Sequence, residues 1–95
     1  MKGYVVCVYK SISNKEKLNE YAVKAKAAVE KYKGNFLIRG GKATTNEGES
    51  SPRTVVIEFP SYDVANLFYK SKEYQEAHEI LKGHAIRHHQ TIEGT

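Results

Sequence analysis

The chain has no tryptophan, one methionine, one cysteine and two prolines among its 95 residues. The lone cysteine, Cys7, cannot form a disulfide within the chain, and its apolar neighbours favour a small buried hydrophobe over a reactive thiol. Such cysteine usage is typical of a reducing compartment, so we expect a cytoplasmic protein. The first residues show no signal peptide and no apolar run approaches transmembrane length, so we expect no membrane association.

The sequence also lacks the motifs of several large functional classes. It contains no Walker-type phosphate loop, no nucleophile elbow and no dinucleotide-binding fingerprint, and these enzyme classes are therefore excluded. The segment 53–59 lacks the glycine and the internal aromatic residues with which sheet-based RNA-binding domains stack bases. We therefore expect no nucleic acid partner.

The composition is that of an ordinary globular protein, with 40% apolar and 27% charged residues. A chain of this length can build one hydrophobic core, so we expect a single domain over 1–95. The net charge of +4 is spread along helical segments rather than concentrated in a block. A moderately basic chain attracts anions, which is compatible with a small acidic ligand.

Hydrophobic periodicity predicts four strands and three helices. Apolar and β-branched runs predict the strands, at 3–9, 35–44, 53–59 and 88–93. Apolar residues at spacings of three and four predict the helices, from Ser13 or Asn14 to Tyr32, from 61 to 69 or 70, and over 72–82. The polar stretch 45–52 is predicted to be a surface loop.

Local signals refine this pattern. Gly34 is expected to end the first helix in a left-handed conformation. Gly40 and Gly41 are expected to form a bulge in the second strand or to let another backbone or a ligand approach closely. The last strand is polar, which is typical of a sheet edge or a wet cavity wall. The order β-α-β-β-α-β, with an extra helix before the final strand, predicts an α+β, ferredoxin-like fold with a four-stranded antiparallel sheet.

The sequence resembles the small bacterial proteins known as DUF1330, in the dimeric α+β barrel superfamily. The resemblance covers nearly the whole chain and rests on four segments: YKGNFLIRGG at 32–41, RTVVIEFPS at 53–61, YKSKEYQ at 69–75 and IEG at 92–94. It implies a homodimer in which two four-stranded sheets pack face to face and enclose a cavity in each half. Cofactor-free oxygenases and isomerases share this architecture, but a shared fold does not transfer a reaction.

The chain departs from the family pattern at three places. Lys33 stands where the family commonly has the first of two glycines, and no proline follows Asn14 at the start of the first helix. The arginine that the resemblance implies near Leu81 or Lys82 is absent, so its role is either lost or taken by Lys82 or Arg87.

Arg39 and Glu58 form the most interesting polar pair, because a charged residue inside a strand needs a partner and the two strands are expected to be adjacent. In a functional interpretation Arg39 binds a carboxylate or phosphate, Glu58 accepts a proton, and Gly40 and Gly41 let the ligand approach backbone N–H groups. In a structural interpretation the two charges form a salt bridge that fixes the strand register. The sequence leaves both open.

Three hydroxyl groups follow in 69–74. Tyr69, Ser71 and Tyr74 are candidates to line the same cavity mouth, with one of the tyrosines polarising a substrate. Alternatively, the tyrosine rings pack in the core or in a dimer contact, and Ser71 caps the next helix.

The four histidines do not predict a metal site. His88 and His89 are adjacent, so they point to opposite faces of a strand, and no cysteine or carboxylate completes a ligand pattern. One of these two histidines is a candidate acid or base in the cavity, because an imidazole titrates near neutral pH. The alternative is a polar residue of an edge strand.

Two functions therefore remain. The first is a homodimeric domain that binds a small organic anion between its sheets, with cofactor-independent chemistry in which Glu58, His88 and Tyr69 are catalytic and Arg39, Gly40, Gly41, Ser71 and Tyr74 bind the ligand. No metal or organic cofactor is expected. The second is a non-catalytic dimer that senses a ligand or binds a protein, with Arg39 and Glu58 structural.

Overall fold

The computed structural model describes residues 1–95, which form a four-stranded antiparallel sheet with three helices on one face. The elements are, in chain order, β1 (Gly3–Ile12), α1 (Lys15–Lys31), β2 (Asn35–Arg39), β3 (Thr54–Phe59), α2 (Tyr62–Lys70), α3 (Lys72–Leu81) and β4 (Ala85–Glu93). The strand order is β2-β3-β1-β4. The predicted α+β, ferredoxin-like fold is confirmed, including the edge position of the last strand.

The helix α1 follows an asparagine cap, and a residue in a strained conformation lies two positions after its end. The side chain of Asn14 accepts a hydrogen bond from the Lys17 N–H at 3.0 Å, which satisfies one of the free donors of the first turn. The left-handed residue after the helix is Lys33, with φ of 61°, and not Gly34 as predicted. Gly34 is needed for another reason, because a Cβ there would lie 2.7 Å from side-chain atoms of Phe59 and Val29.

Serines separate and cap the two shorter helices. Ser61 accepts from the Val64 N–H, and Ser71 accepts from the Tyr74 N–H, each at 3.1 Å. The backbone of Ser71 is extended, with ψ of 151°, so α2 and α3 cannot continue as one helix. Its hydroxyl also donates to the Phe68 carbonyl at 2.7 Å.

The core lies between the sheet and the helices. Alternate residues of β1 point toward the helices, and Val5, Cys7 and Tyr9 are almost completely buried there. Ile57 and Phe59 on β3 face the same way. The helices contribute a set of mostly small and aromatic side chains, namely Leu18, Tyr21, Ala25, Ala28, Val29, Ala65, Phe68, Tyr74, Ala77 and Leu81.

The other face of the sheet has no cover within the chain. Val6 and Val8 lie in its centre, while Ile86 and Ile92 on β4 are 62% and 46% exposed. We call this surface the open sheet face. Apolar side chains on one face of a sheet stay exposed to solvent unless another layer of structure packs on them.

Four strand boundaries differ from the prediction, among them the end of β1, which lies at Ile12 rather than at residue 9, and the start of β3, which lies at Thr54 rather than at residue 53. The strand β2 ends at Arg39, because Gly40 and Gly41 have φ of 77° and 95° and turn the chain away. The irregularity in its pairing with β3 lies between Phe36 and Ile38 rather than at the glycines. The last strand begins at Ala85, three residues before the predicted start, because its polar residues pair with β1 through backbone groups. None of the helices is long and apolar enough to span a membrane.

Candidate functional site

A cavity lies between the helix-covered face of the sheet and the helices. The volume that the centre of a water molecule can occupy is about 30 Å³, which is enough for about two waters. Most of the wall is apolar, and 13 of the 17 lining residues are hydrophobic. The remaining four are Arg39, Arg53, Arg87 and His89. This cavity is on the opposite side of the sheet from the inter-sheet cavity that the family resemblance implies.

Arg39 is on β2, Arg87 is on β4 and Arg53 immediately precedes β3. None of the three arginines has an acidic partner in the cavity. Arg53 and Arg87 flank Tyr9, since the Tyr9 N–H donates to the Arg53 carbonyl at 2.9 Å and Arg87 is the β4 partner of Tyr9. No aspartate or glutamate lines the cavity. Buried or half-buried cations are normally paired with carboxylates. The cavity therefore has an excess of positive charge for which the chain supplies no anion.

Arg87 is fixed by two tyrosines. One terminal nitrogen, Nη1, donates to the Tyr21 hydroxyl and the other, Nη2, donates to the Tyr74 hydroxyl, both at 3.1 Å. Its guanidinium also lies 5.3 Å from the centre of the Tyr21 ring and 5.5 Å from that of Tyr9. Aromatic faces and phenol oxygens both stabilise a cation, so Arg87 is held without a carboxylate.

The tyrosines around Arg87 and the neighbouring cysteine are protonated at neutral pH. Burial raises the pKa of Tyr9 to about 12 and raises the pKa values of Tyr21 and Tyr74 as well. Burial also raises the pKa of the Cys7 thiol, while the positive charges of Arg87 and Arg53 act against this rise. Cys7 is therefore a core residue, and both arginines are close enough to act on its sulfur.

Arg39 spans the mouth of the cavity. Its guanidinium stacks over the Phe36 ring at 4.5 Å from the ring centre, and Nη2 donates to the Ala22 carbonyl of α1 at 3.4 Å. The side chain is exposed to solvent and lines the cavity on its inner side. A single hydrogen bond of this length is weak, so little holds Arg39 in place across the opening.

Arg53 has unused hydrogen-bonding capacity inside the protein. Its Nε is buried and has no partner. A Cβ on Gly40 would lie 2.8 Å from Nη1 of Arg53, so the glycine gives room to this side chain. A buried N–H of a charged group without an acceptor is unfavourable, and an anion in the cavity is a partner that would satisfy it.

His89, and not His88, faces the cavity. Its ring lies 4.9 Å from the Tyr69 ring and 6.0 Å from the Tyr74 ring, centre to centre. Burial, reinforced by the charge of Arg87, lowers the pKa of His89 to about 3, so the imidazole is neutral near pH 7. His88 points to the open sheet face, where it is exposed and forms a hydrogen bond with Gln90.

Arg39 and Glu58 do not form the predicted pair. Arg39 lies opposite Val55 in the sheet, whereas Glu58 lies opposite Asn35, at the other end of β2. Glu58 is on the open sheet face, where it accepts a hydrogen bond from the Tyr4 hydroxyl at 3.0 Å. The antiparallel register, with Asn35 opposite Glu58, separates the two residues, and the register of two strands is not visible in the sequence.

The remaining predicted residues have mixed positions. Tyr74 lines the cavity, whereas Ser71 caps α3 and Tyr69 packs on the outer side of Tyr74 and His89. The backbone carbonyl of Tyr69 accepts from the Gln75 side chain at 2.6 Å. Of the two residues considered as replacements for the absent family arginine, Lys82 lies 3.8 Å from Glu79 on the surface and Arg87 lies in the cavity.

Arg53 and Tyr21 were not among the predicted site residues, and Arg87 was considered only as a replacement for the absent family arginine. The signal that could have found Arg87 is the two-residue period of β4, where Ala85, Arg87 and His89 alternate with more exposed residues. No such signal marks Arg53, whose role depends on the contact with Gly40. No group of three or more histidine, cysteine or acidic side chains is arranged to hold a metal ion.

The fold and the cavity define a class of protein: a ferredoxin-like α+β domain with a cationic cavity between its sheet and its helices. The family is shown by the sequence itself. Residues 2–95 match the model of the domain of unknown function DUF1330, and the chain belongs to this family. No curated protein matches the sequence.

Crystal structures of other proteins show the same fold. A protein of unknown function from Rhodopseudomonas palustris has a TM-score of 0.78 at 12% identity, over 99% of this chain and 82% of its own. A dimeric ferredoxin-like protein of unknown function from Bacteroides fragilis has a TM-score of 0.63 at 18% identity, over 98% and 96%. An ethyl tert-butyl ether d (EthD) family protein from Bacillus halodurans has a TM-score of 0.63 at 12% identity, over the full length of both chains.

Proposed function

We propose that this protein is a homodimeric domain that binds a small organic anion in the cavity between its sheet and its helices. The observation that carries the proposal is the lining of the cavity, in which Arg39, Arg53 and Arg87 occur with no carboxylate. An anion would supply the missing negative charge and would give the buried Nε of Arg53 an acceptor.

The apolar wall indicates what else the ligand contains. Val5, Ala25, Val29, Ile57 and Phe68 line the cavity beside the arginines, and these side chains favour a hydrocarbon body. A molecule larger than two waters needs more space than the closed cavity has. Moving the Arg39 side chain breaks one weak hydrogen bond to Ala22 and the stacking on the Phe36 ring, and we infer that the ligand enters there.

The dimer is supported by the open sheet face and by a structural neighbour. Ile86 and Ile92 leave a partly apolar surface beside Val6 and Val8, and a second sheet packed on this face would bury it. The Bacteroides fragilis protein with the same fold is dimeric. In such a dimer the open sheet face is the interface, and the anion cavity lies on the other side of the sheet.

Binding rather than turnover is the activity that the geometry supports. A general base works best when its pKa is near the working pH, whereas the imidazole in the cavity has its pKa lowered to about 3. Glu58 and His88, the other candidate bases, point to the open sheet face. We therefore favour a ligand-sensing domain over an enzyme.

Titration calorimetry with small carboxylates tests this function. We expect benzoate or isocaproate to bind and the matching neutral amide not to bind, because only the acid supplies charge to Arg53. The variant Arg53→Met should weaken binding of the acid about tenfold or more, since a hydrogen bond to a charged group contributes about 1.5–3 kcal/mol.

The matched control is Lys24→Met, which removes an exposed cation of α1 away from the cavity. Its affinity should equal that of the unmodified protein. Equal binding of acid and amide, or no binding of any acid in a panel that includes acetate, benzoate, isocaproate and levulinate, would disprove the proposed function.

A further inference from the structure

The two tyrosines that hold Arg87 have two hydroxyl protons, but the chain has a hydrogen-bond acceptor for only one of them. The hydroxyl oxygens of Tyr21 and Tyr74 lie 2.9 Å apart and share a hydrogen bond. Each oxygen also accepts a hydrogen bond from Arg87. Only one of the two hydroxyl protons can lie between the oxygens, because in a hydrogen bond one oxygen donates its proton and the other accepts with a lone pair.

The second hydroxyl proton has no acceptor in the protein. Arg87 cannot accept it, since a guanidinium has donors only. Both phenol rings are at least nine-tenths buried, so bulk water does not reach the pair freely. Because Tyr21 and Tyr74 both line the cavity, the free proton is available to whatever the cavity contains.

We propose that the ligand carries a neutral carbonyl oxygen in addition to its anionic group, so that its class is the oxo acids. The carbonyl accepts the free proton of the Tyr21–Tyr74 pair, while Arg53 and Arg39 bind the carboxylate. This inference rests on the proposed function, because it assigns the second polar group of the same ligand.

A second carboxylate fits this end of the cavity less well. Arg87 is the only cation beside the tyrosines, and both of its terminal nitrogens already donate to them. Its charge also lies near the Tyr9 and Tyr21 rings. A second carboxylate would have to give up its hydration here, which costs far more free energy than the desolvation of a neutral carbonyl, and the carbonyl needs only the one free proton.

Three acids with the same number and branching of non-hydrogen atoms provide the test. Levulinate has a carbonyl at the far end, isocaproate has a methyl group in place of the carbonyl oxygen, and succinate has a carboxylate. Calorimetry on the unmodified protein should show levulinate binding about fivefold or more tighter than isocaproate, since one hydrogen bond to a buried donor contributes about 1 kcal/mol. Succinate should bind more weakly than levulinate.

Tyrosine variants locate the effect. Tyr21→Phe and Tyr74→Phe each leave one hydroxyl with a free proton, so either single variant should still prefer levulinate. The double variant has no hydroxyl proton at this place and should lose the preference. If the double variant does not fold, the comparison of the three acids on the unmodified protein decides the question by itself.

The outcomes separate this inference from the proposed function. Isocaproate binding as tightly as levulinate, or succinate binding more tightly than both, would overturn the oxo acid and leave the anion site intact. A double variant that folds and keeps the preference for levulinate would also overturn it. Failure of every acid to bind would disprove the proposed function, and this inference with it.

Discussion

The hydroxyl oxygens of Tyr21 and Tyr74 lie 2.9 Å apart although the residues are 53 positions apart in the chain. Tyr21 is on α1, Tyr74 is on α3, and Arg87 on β4 donates to both. The three polar groups therefore connect two helices to an edge strand inside an otherwise apolar core. This cluster stabilises the fold and forms one end of the cavity.

Removing one phenol oxygen should lower stability. In Tyr74→Phe the Nη2 of Arg87 loses its acceptor in a buried place, and an unsatisfied buried donor costs about 1–3 kcal/mol. Urea denaturation should show this loss in the free energy of unfolding. The control Tyr62→Phe removes the hydroxyl of a tyrosine that is 41% exposed and should change stability little. Equal effects of the two substitutions would contradict the role of the cluster.

Glycine at position 33 should stabilise the protein. Lys33 has φ of 61°, a conformation that is unfavourable for any residue with a Cβ and easy for glycine. Glycine also has a greater conformational entropy in the unfolded chain, and this offsets part of the gain. Lys33→Gly should therefore raise the free energy of unfolding by about 0.5–1 kcal/mol. The control Lys26→Gly, within α1, should lower it by about 1 kcal/mol. A loss of stability in both variants would contradict the strain at Lys33.

Acid should destabilise the protein through His89. Its pKa is about 3 when folded, against an ordinary value of 6.5. Because the folded pKa is the lower one, the unfolded chain binds the proton first, and stability is lost as the pH falls from 6.5 toward 3. His89→Gln should therefore show a weaker decrease in stability than the unmodified protein over the upper part of this range. If the free energies of unfolding of the two proteins, measured in urea, decrease in parallel as the pH falls, His89 is not the cause of the acid sensitivity.

Arg39 and Glu58 should behave as independent residues. Arg39 lies opposite Val55, whereas Glu58 lies opposite the other end of β2, and the two side chains have different hydrogen-bond partners. A double-mutant cycle with Arg39→Met and Glu58→Gln should give a coupling energy below about 0.5 kcal/mol, as for sites without shared contacts. A cycle with Tyr4→Phe and Glu58→Gln is the positive control, because these two side chains share a hydrogen bond. Strong coupling of Arg39 with Glu58 would restore the salt-bridge interpretation.

A charge on the open sheet face should dissociate the proposed dimer. Ile86 and Val23 are both exposed in the single chain, at 62% and 73%, but only Ile86 is on the open sheet face. Ile86→Lys should shift the protein toward the monomer in light scattering after gel filtration, because burying an unpaired lysine is unfavourable. Val23→Lys, on the outer surface of α1, should leave the dimer unchanged. A monomer in both cases, or in the unmodified protein, would disprove this interface.

The sequence by itself determined the elements and their order, because these depend on local patterns. The three-and-four spacing from Leu18 to Val29 predicts α1, and the β-branched run at 3–9 predicts β1, since each pattern buries one face of its element. Ser71 is recognisable as a cap because a serine immediately before a helical stretch is a common N-cap. The polar character of β4 indicated its edge position before the strand order was known.

Only the tertiary structure decided the register and the site. The antiparallel register places Asn35 opposite Glu58 and Arg39 opposite Val55, so the predicted partner Glu58 lies out of reach of Arg39. The convergence of Arg53, Arg87 and the two tyrosines depends on contacts between residues far apart in the chain, and local periodicity carries no information about such contacts. The choice of His89 over His88 follows the same rule, since neighbouring strand residues face opposite ways and only packing decides which face the helices cover.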